Sequence, residues 1–199
     1  MEKKNFLKTL VIVSSFLLSS TGLLSELDHV CAYSNESVVK FRDKADKFCE
    51  IDNFTGKSKV LFDWPVDLCE FWVSSLFGPR KHKGVVKNHG GVDLASVKGT
   101  QVKASARGIV KRVEENVPGY GNVIEVQHKG GFLTRYAHLH KMHACYGDTV
   151  RKGEVIGLVG STGNVRGKDP SHLHFEIVKD GKRLDPLIYL YCSEIEFQK

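Results

Sequence analysis

The sequence predicts an all-β protein, a compact antiparallel β-sandwich or half-open barrel with a short N-terminal extension. The chain has 199 residues, of which 19 are glycine and only 5 proline. From "FDWPV" onward, glycines separate short apolar runs at intervals of roughly 8 to 12 residues, a spacing typical of all-β domains. No long run with the 3.6-residue period of a helix interrupts them. We therefore expect one domain over residues 61–192 and a tail over 193–199.

Individual strands follow from alternation and turn signals. The segments "GNVIEVQH" and "FLTRYAHL" flank the turn "KGG", and "HLHFEIVKDGKRLDP" contains a turn at Asp180-Gly181, so each predicts a β-hairpin. Further strands are predicted in "TQVKASA", "GIVKRVEEN" and "DTVRKGEVIGLVG". Successive hairpins of this kind favour an antiparallel sheet.

The N-terminus resembles a secretory signal. Lysines in "MEKKNFLK" precede "TLVIVSSFLLSSTGLL", an apolar stretch diluted by serines and too short and polar for a membrane span. We expect residues 1–32 to be a signal peptide cleaved after Ala32, and residues 33–60 to be an extension. The alternatives are an uncleaved membrane anchor and, less well matched, a lipoprotein acylated at Cys31. A membrane is expected as a partner only if the N-terminal segment stays uncleaved. We expect export to the periplasm or to the cell wall and extracellular space.

Net charge limits the classes of expected partner, while the cysteine content leaves the disulfide pattern open. A net charge of +6 with pI about 9.0 favours polyanions such as nucleic acid, anionic lipid or a bacterial wall. The basic residues lack the interleaved aromatic side chains of a nucleic-acid platform, so we expect no nucleic acid. Cys49, Cys69, Cys145 and Cys192 form an even set that allows three disulfide pairings or free thiols, and the sequence does not choose.

The stretch "PSHLHFEI" places two histidines in a segment that otherwise predicts a buried strand. Because side chains two residues apart on a strand share a face, His172, His174 and Glu176 line one surface. The other face is apolar and is expected to enter the core: Leu173, Phe175 and Ile177. For an isolated His-x-His pair, two exposed histidines are the commoner explanation.

A second segment, "TRYAHLHK", repeats this pattern. The same rule places Tyr136, His138 and His140 on one face and Ala137 and Leu139 on the other. Two strands that both present imidazoles favour a shared site over coincidence.

The third candidate segment is "NHGGVDLAS". Its two glycines disfavour a helix, so His89 is predicted in a loop that enters a strand at Val92. His89 and Asp93 could then hold one ion, and a further histidine would complete the open three-ligand set of a catalytic zinc site. Taken alone, a turn aspartate near a surface histidine is the commoner explanation.

The ordered segments resemble the lysostaphin/LytM-type zinc metallopeptidases, which cut peptide bonds in bacterial peptidoglycan and have the duplicated-hybrid-motif fold. The resemblance covers residues 62–190. It rests on these segments: "DWPV", "SSLFGPR", "HGGVD", "GTQVKASARGIV", "GYGNVIEVQH", "TRYAHL", "YGDTVRKGEVIGLVGSTG" and "HLHFEI" with "DP" beyond.

The resemblance implies a role for each matching residue. His89, Asp93 and His174 would bind one Zn²⁺ per chain, while His138 and His172 would be catalytic. His172 would act as the base for a metal-activated water, and His138 would stabilise the developing charge. The expected protein is an exported zinc metalloendopeptidase, a monomer acting on peptidoglycan peptides, with a regulatory envelope protein as a further partner.

Two departures and two alternatives accompany this prediction. The chain has a longer loop before the His-x-His strand, "TGNVRGKDPSHLHFE", which is expected to border the cleft, and His140 is expected to be peripheral. One alternative function is a catalytically inert wall-binding module that activates other wall hydrolases. The other is a phosphocarrier that uses paired histidines without metal, which export would exclude.

Overall fold

A computed structural model describes residues 62–82, 85–165 and 170–190. The predicted signal peptide (1–32), extension (33–60) and tail (193–199) lie outside the described residues. So do Cys49, Cys192 and residues 166–169 of the charged loop before the His-x-His strand. Within them, Cys69 and Cys145 are exposed free thiols. None of the helices in this part of the chain is long and apolar enough to cross a membrane.

The described residues form thirteen strands, two short 3-10 helices at Leu68–Glu70 and Lys129–Gly131, and a helical turn at 186–190. The strands are β1 (Phe71–Ser75), β2 (Gly78–His82), β3 (Val85–His89), β4 (Val92–Ser96), β5 (Gln101–Lys103), β6 (Gly108–Val117), β7 (Gly121–Gln127), β8 (Phe132–Ala137), β9 (Lys141–Met142), β10 (Thr149–Val150), β11 (Val155–Leu158), β12 (His172–Lys179) and β13 (Lys182–Leu184).

Most strands belong to one eight-stranded sheet, hereafter the main sheet, with the order β1-β4-β12-β8-β7-β6-β10 and with β13 beside β12. A three-stranded sheet has the order β5-β11-β9, and β2 pairs with β3. Every strand pair among the described residues is antiparallel. The all-β, antiparallel prediction is therefore confirmed, including the two hairpins around "KGG" and Asp180-Gly181.

The core lies on one face of the main sheet. Leu173, Phe175 and Ile177 of β12 are fully buried there, as the alternation predicts. Val102 of β5 and Ile156 of β11 belong to the same buried cluster, so the three-stranded sheet covers this face. The histidines of β12 consequently point to the opposite face, where they are available for chemistry.

The prediction that Tyr136 and His138 share a face is wrong. Tyr136 is fully buried on the core face, with its ring centroid 5.3 Å from that of Phe175. Strand β8 ends at Ala137, and His138 adopts a left-handed backbone with φ 62°. Its backbone N–H donates to the carbonyl oxygen of Tyr120 at 2.8 Å. The regular alternation therefore stops one residue early, and His138 turns toward the face that carries His174.

Candidate metal centre

Three side chains from three strands lie together near the start of β12. His89 is the last residue of β3, Asp93 is the second residue of β4, and His174 lies directly opposite Asp93 in the β4–β12 pair. The prediction that His89 lies in a loop was wrong by one residue, because β3 extends to it. A Cβ on Gly91 would lie 2.2 Å from the carbonyl oxygen of Phe175, so only glycine lets the chain enter β4 this close to β12.

The donor atoms of this group form a compact triangle. His89 Nε2 lies 3.0 Å from Asp93 Oδ1 and 3.1 Å from His174 Nδ1, and His174 Nδ1 lies 2.8 Å from Asp93 Oδ1. Ligands of a tetrahedral zinc ion at its usual bond lengths stand about 3.3 Å apart, close to these separations. All three residues are at most 9% exposed. Two imidazoles and one carboxylate in this arrangement fit Zn²⁺, with room for a further ligand.

The other ring nitrogens of the two histidines are held by acceptors. His89 Nδ1 lies 2.8 Å from the carbonyl oxygen of Leu76, and His174 Nε2 lies 3.1 Å from Glu176 Oε1. Because a carbonyl or ionised carboxylate only accepts, each of these nitrogens carries the proton. In their neutral forms the two rings therefore direct the lone pairs of His89 Nε2 and His174 Nδ1 toward Asp93, which is the tautomer pair a metal needs.

Glu176 is fully buried beside His174. Its Oε1 accepts from the hydroxyl of Tyr120 at 3.0 Å, while Oε2 accepts from Arg135 and, at 3.1 Å, from Arg183 Nε. Burial opposes ionisation, but the hydrogen bond from His174 and the charge of Arg135 outweigh it and lower the pKa of Glu176 to about 2. Glu176 is therefore an ionised carboxylate that orients the ring of His174.

Asp93 and His174 are strongly coupled, with His174 Nδ1 2.8 Å from Asp93 Oδ1. Burial opposes the charge on Asp93, yet the hydrogen bonds of His174 and His89 hold the pKa of its carboxyl well below the usual range. For His174, burial lowers the pKa, but hydrogen bonds to Asp93 and Glu176 outweigh it and raise that pKa. Arg80 adds a cation 3.5 Å from Asp93 Oδ2. A metal ion must therefore compete with a proton for His174 Nδ1.

His138 and His172 lie beside this triangle, with their ring centroids 4.7 Å apart. His138 Nδ1 donates to the carbonyl oxygen of Thr162 at 2.8 Å, and His172 Nδ1 donates to that of Pro170 at 2.7 Å. In its neutral form each ring therefore carries a bare lone pair at Nε2. His172 Nε2 lies 3.8 Å from Asp93 Oδ1, so it borders the ligand group directly.

His138 is the more deeply buried of the two rings, with 7% of its surface exposed. Burial and the neighbouring His172 lower the pKa of His138 to about 4. His138 is therefore neutral at physiological pH and is a weak base.

A glycine-containing loop holds both of these histidines. A Cβ on Gly160 would lie 2.3 Å from the backbone nitrogen of His140 and 2.7 Å from the carbonyl oxygen of His138. The N–H of His172 donates to the Gly160 carbonyl oxygen at 3.1 Å. From the sequence this glycine is predicted only as a turn residue, whereas it lets the loop pack between the two catalytic candidates.

All five residues predicted for the site lie together, and His140 is exposed and peripheral, as expected. The roles of the five remain predictions. Sequence reasoning did not single out the residues that contact these five or that pair with the carboxylate of Glu176. They are Arg80, Tyr120, Arg135, Thr162 and Arg183. All of these except Arg183 stand in segments that carry the resemblance, namely "SSLFGPR", "GYGNVIEVQH", "TRYAHL" and "YGDTVRKGEVIGLVGSTG", so a signal was present for four of the five.

An antiparallel all-β sheet that presents a His-Asp-His donor set beside two further histidines is typical of metal-dependent hydrolases. Residues 87–186, just over half of the chain, match the family described as Peptidase family M23. The chain therefore belongs to peptidase family M23.

Relatives and solved structures agree with this assignment. The chain is 41% identical over 117 residues to the DD-carboxypeptidase/endopeptidase Mpg of Neisseria meningitidis serogroup B, a match that covers 58% of this chain and 26% of that protein. It is similar to a zinc-containing peptidase from Vibrio cholerae (TM-score 0.59, 35% identity, 64% of this chain and 39% of that one). It is also similar to the catalytic domain of the antimicrobial peptidase lysostaphin from Staphylococcus simulans (TM-score 0.53, 31% identity, 59% and 90%). The chain thus spans about a quarter of the length of the Neisseria relative.

Proposed function

We propose that this protein is an exported zinc metalloendopeptidase that hydrolyses peptide cross-links of bacterial peptidoglycan. One observation carries the proposal. The donor atoms of His89, Asp93 and His174 are separated by distances close to those between the ligands of a tetrahedral zinc ion, and Nε2 of His172 lies 3.8 Å from Asp93 Oδ1. A bound Zn²⁺ would polarise the scissile carbonyl and lower the pKa of a water molecule to about 7.

His172 is the residue to which we assign the proton of the attacking water. Its Nδ1–H is committed to the Pro170 carbonyl oxygen, so Nε2 is an acceptor that faces the ligand group. A base at hydrogen-bonding reach of the nucleophile contributes typically about 10²- to 10⁴-fold to the rate. After it accepts the proton, the same Nε2–H can donate to the leaving amine.

His138 has a different task. Its Nδ1–H is committed to Thr162, and its pKa is lowered to about 4, so the neutral ring presents only a lone pair. A neutral ring can order the attacking water by accepting a hydrogen bond. It can stabilise the developing oxyanion only after it gains a proton, which burial opposes. This favours His172 as the base and limits the stabilising role expected for His138.

The substrate and the location are supported by three observations. The Neisseria relative is named a DD-carboxypeptidase/endopeptidase, and lysostaphin is named an antimicrobial peptidase. The net charge of +6 favours a polyanionic wall. The first 32 residues resemble a secretory signal, which would deliver the domain to that wall.

The test uses purified full-length protein, its zinc content measured by mass spectrometry, and the release of peptides from purified peptidoglycan with and without a chelator. We expect one zinc per chain and chelator-sensitive release of cross-link fragments. His172→Ala should keep the zinc and lose about 10²-fold or more in rate. The control is His140→Ala, which changes an exposed histidine nearby and should retain the wild-type rate.

The proposal fails if the protein binds no stoichiometric zinc, or if His172→Ala digests peptidoglycan at the wild-type rate. Zinc binding without any release of peptides would instead favour the inert wall-binding module.

A further inference from the structure

A row of alternating charges crosses the face of the main sheet that carries His174. From β13 to β6 the row, hereafter the charge row, consists of Arg183, Glu176, Arg135, Glu125 and Arg112. Arg135 lies directly opposite both Glu176 and Glu125 in the strand register, and Arg112 lies opposite Glu125. Oppositely charged side chains in such cross-strand positions attract each other.

The cations of the charge row are not compensated equally. Arg135 bonds to Glu176 and, at 2.7 Å, to Glu125 Oε1, while Arg112 contacts Glu125 and Glu114. Arg183 stands at the end of the row and, among the described residues, meets a single carboxylate, that of Glu176. Because Arg135 also pairs with that carboxylate, the charge of Arg183 is the least neutralised in the row.

Arg183 is nevertheless held in place. Its Nε donates to Glu176 Oε2 at 3.1 Å and its Nη2 donates to the hydroxyl oxygen of Tyr120 at 3.0 Å. Its Nη1 makes no hydrogen bond within residues 62–82, 85–165 and 170–190, and the side chain is 49% exposed. A half-exposed guanidinium fixed on one edge loses little conformational freedom when its free edge binds an anion.

This guanidinium also lies next to the metal centre. A Cβ on Gly90 would lie 2.6 Å from Arg183 Cδ, so the side chain packs on the backbone that directly follows His89. Its partner Glu176 is hydrogen-bonded to His174. A peptide bound across the three donor atoms would therefore pass close to the Arg183 side chain.

We propose that Arg183 is a specificity-determining residue that binds a free carboxylate of the peptide substrate close to the scissile bond. The inference rests on the proposed function and names its substrate class: cross-links whose residues carry a free carboxylate, in preference to uncharged glycine bridges. Guanidinium–carboxylate hydrogen bonds are charge-assisted and geometrically selective, so they discriminate well against a neutral group.

The experiment compares two synthetic cross-linked peptides that differ in one group, a free carboxylate or its carboxamide beside the scissile bond. We expect the wild-type holoenzyme to favour the carboxylate by about 10- to 100-fold in kcat/KM. Arg183→Ala should reduce this ratio toward one, and Arg183→Lys should give an intermediate ratio. The matched control Lys182→Ala, which removes an exposed cation at the next residue, should keep the wild-type ratio. Zinc content and thermal unfolding are measured for every variant.

Each outcome decides the inference. A wild-type ratio near one overturns it while leaving the proposed function intact, because both peptides are cleaved. A wild-type preference that survives in Arg183→Ala overturns it too, and would make Arg183 a positioning residue for Glu176. If Arg183→Ala loses its zinc, the wild-type ratio and that of Arg183→Lys decide. Wild-type protein that cleaves neither peptide nor whole peptidoglycan overturns the proposed function itself.

Discussion

The main sheet buries histidines on both of its faces, and in the part of the chain that the structure describes one group, on one face, is arranged to bind a metal. On one face, His174 has the carboxylates of Asp93 and Glu176 at its two ring nitrogens. On the core face, His128 is equally buried, but its Nδ1 donates to a backbone carbonyl and its Nε2 lies 2.8 Å from the Thr134 hydroxyl.

Hydrogen-bond partners, and not burial, distinguish the two kinds of histidine. Burial lowers the pKa of His128, whose partners are neutral. The two carboxylates raise the pKa of His174 in spite of its burial. A ring with only neutral partners is a satisfied core residue, while a ring between two carboxylates lies in a negative environment that favours a cation, either its own proton or a metal ion.

The largest expected effect comes from a change on the metal face. Asp93→Asn removes the negative charge and replaces a carboxylate ligand with a weakly binding amide oxygen, so it should abolish stoichiometric zinc binding and lower peptidase activity by about 10³-fold or more, since metal-ion catalysis supplies several kcal/mol. Zinc content and kcat/KM are the measurements.

The matched change on the core face is Thr134→Val. It removes the hydroxyl beside His128 Nε2 and should cost about 1–3 kcal/mol of unfolding free energy, because a buried nitrogen loses its partner. Zinc content and kcat/KM of the folded protein should stay at the wild-type level. If Thr134→Val lost zinc, the two faces would not be independent.

Part of this contrast could be predicted from the sequence. Strand alternation correctly separates His172 and His174 from Leu173, Phe175 and Ile177, because β12 is regular. Alternation fails at His138, where one left-handed residue ends β8, and a hydrogen bond to a distant turn, not the local sequence, decides that conformation.

The surroundings of the metal centre depend on strand register. Arg135 meets Glu176 because β8 and β12 pair at that residue, and Arg183 reaches it from a hairpin strand on the other side. Spacing along the chain contains no information on which residues of two strands stand opposite each other. The candidate donors stand in the short segments "HGGVD" and "HLHFEI" and could be singled out there. The charge row depends on register and could not be predicted.

A smaller effect is expected at Glu176, which lies on the metal face without being a donor to the ion. Glu176→Gln keeps the shape but weakens the acceptor for His174 Nε2–H, so zinc affinity should fall by about 10- to 100-fold. Competition with a chelator measures this affinity. The control is Glu125→Gln, which removes the other carboxylate partner of Arg135 and should change zinc affinity little. Equal losses in both variants would show that the whole charge row, and not the bond to His174, sets the affinity.

The smallest effect concerns the core face and its response to pH. Burial lowers the pKa of His128 below its ordinary value of 6.5. As the pH falls through 6.5, the unfolded chain gains a proton that the folded protein does not, so the unfolding free energy falls with decreasing pH. The slope from this residue is at most about 1.4 kcal/mol per pH unit. His138, with its pKa of about 4, adds a slope of the same sign.

Urea unfolding of the zinc-free protein between pH 7.5 and 5 measures this dependence. His128→Gln should flatten the curve of unfolding free energy against pH relative to wild type, whatever it does to stability at pH 7.5. The control is Val102→Ala, which leaves a cavity in the hydrophobic core on the same face of the main sheet. It should lower the whole curve and keep its slope, because it removes no titrating group. An unchanged slope in His128→Gln would mean that this histidine gains its proton equally in both states, and the contrast between the two faces would then rest on the metal face alone.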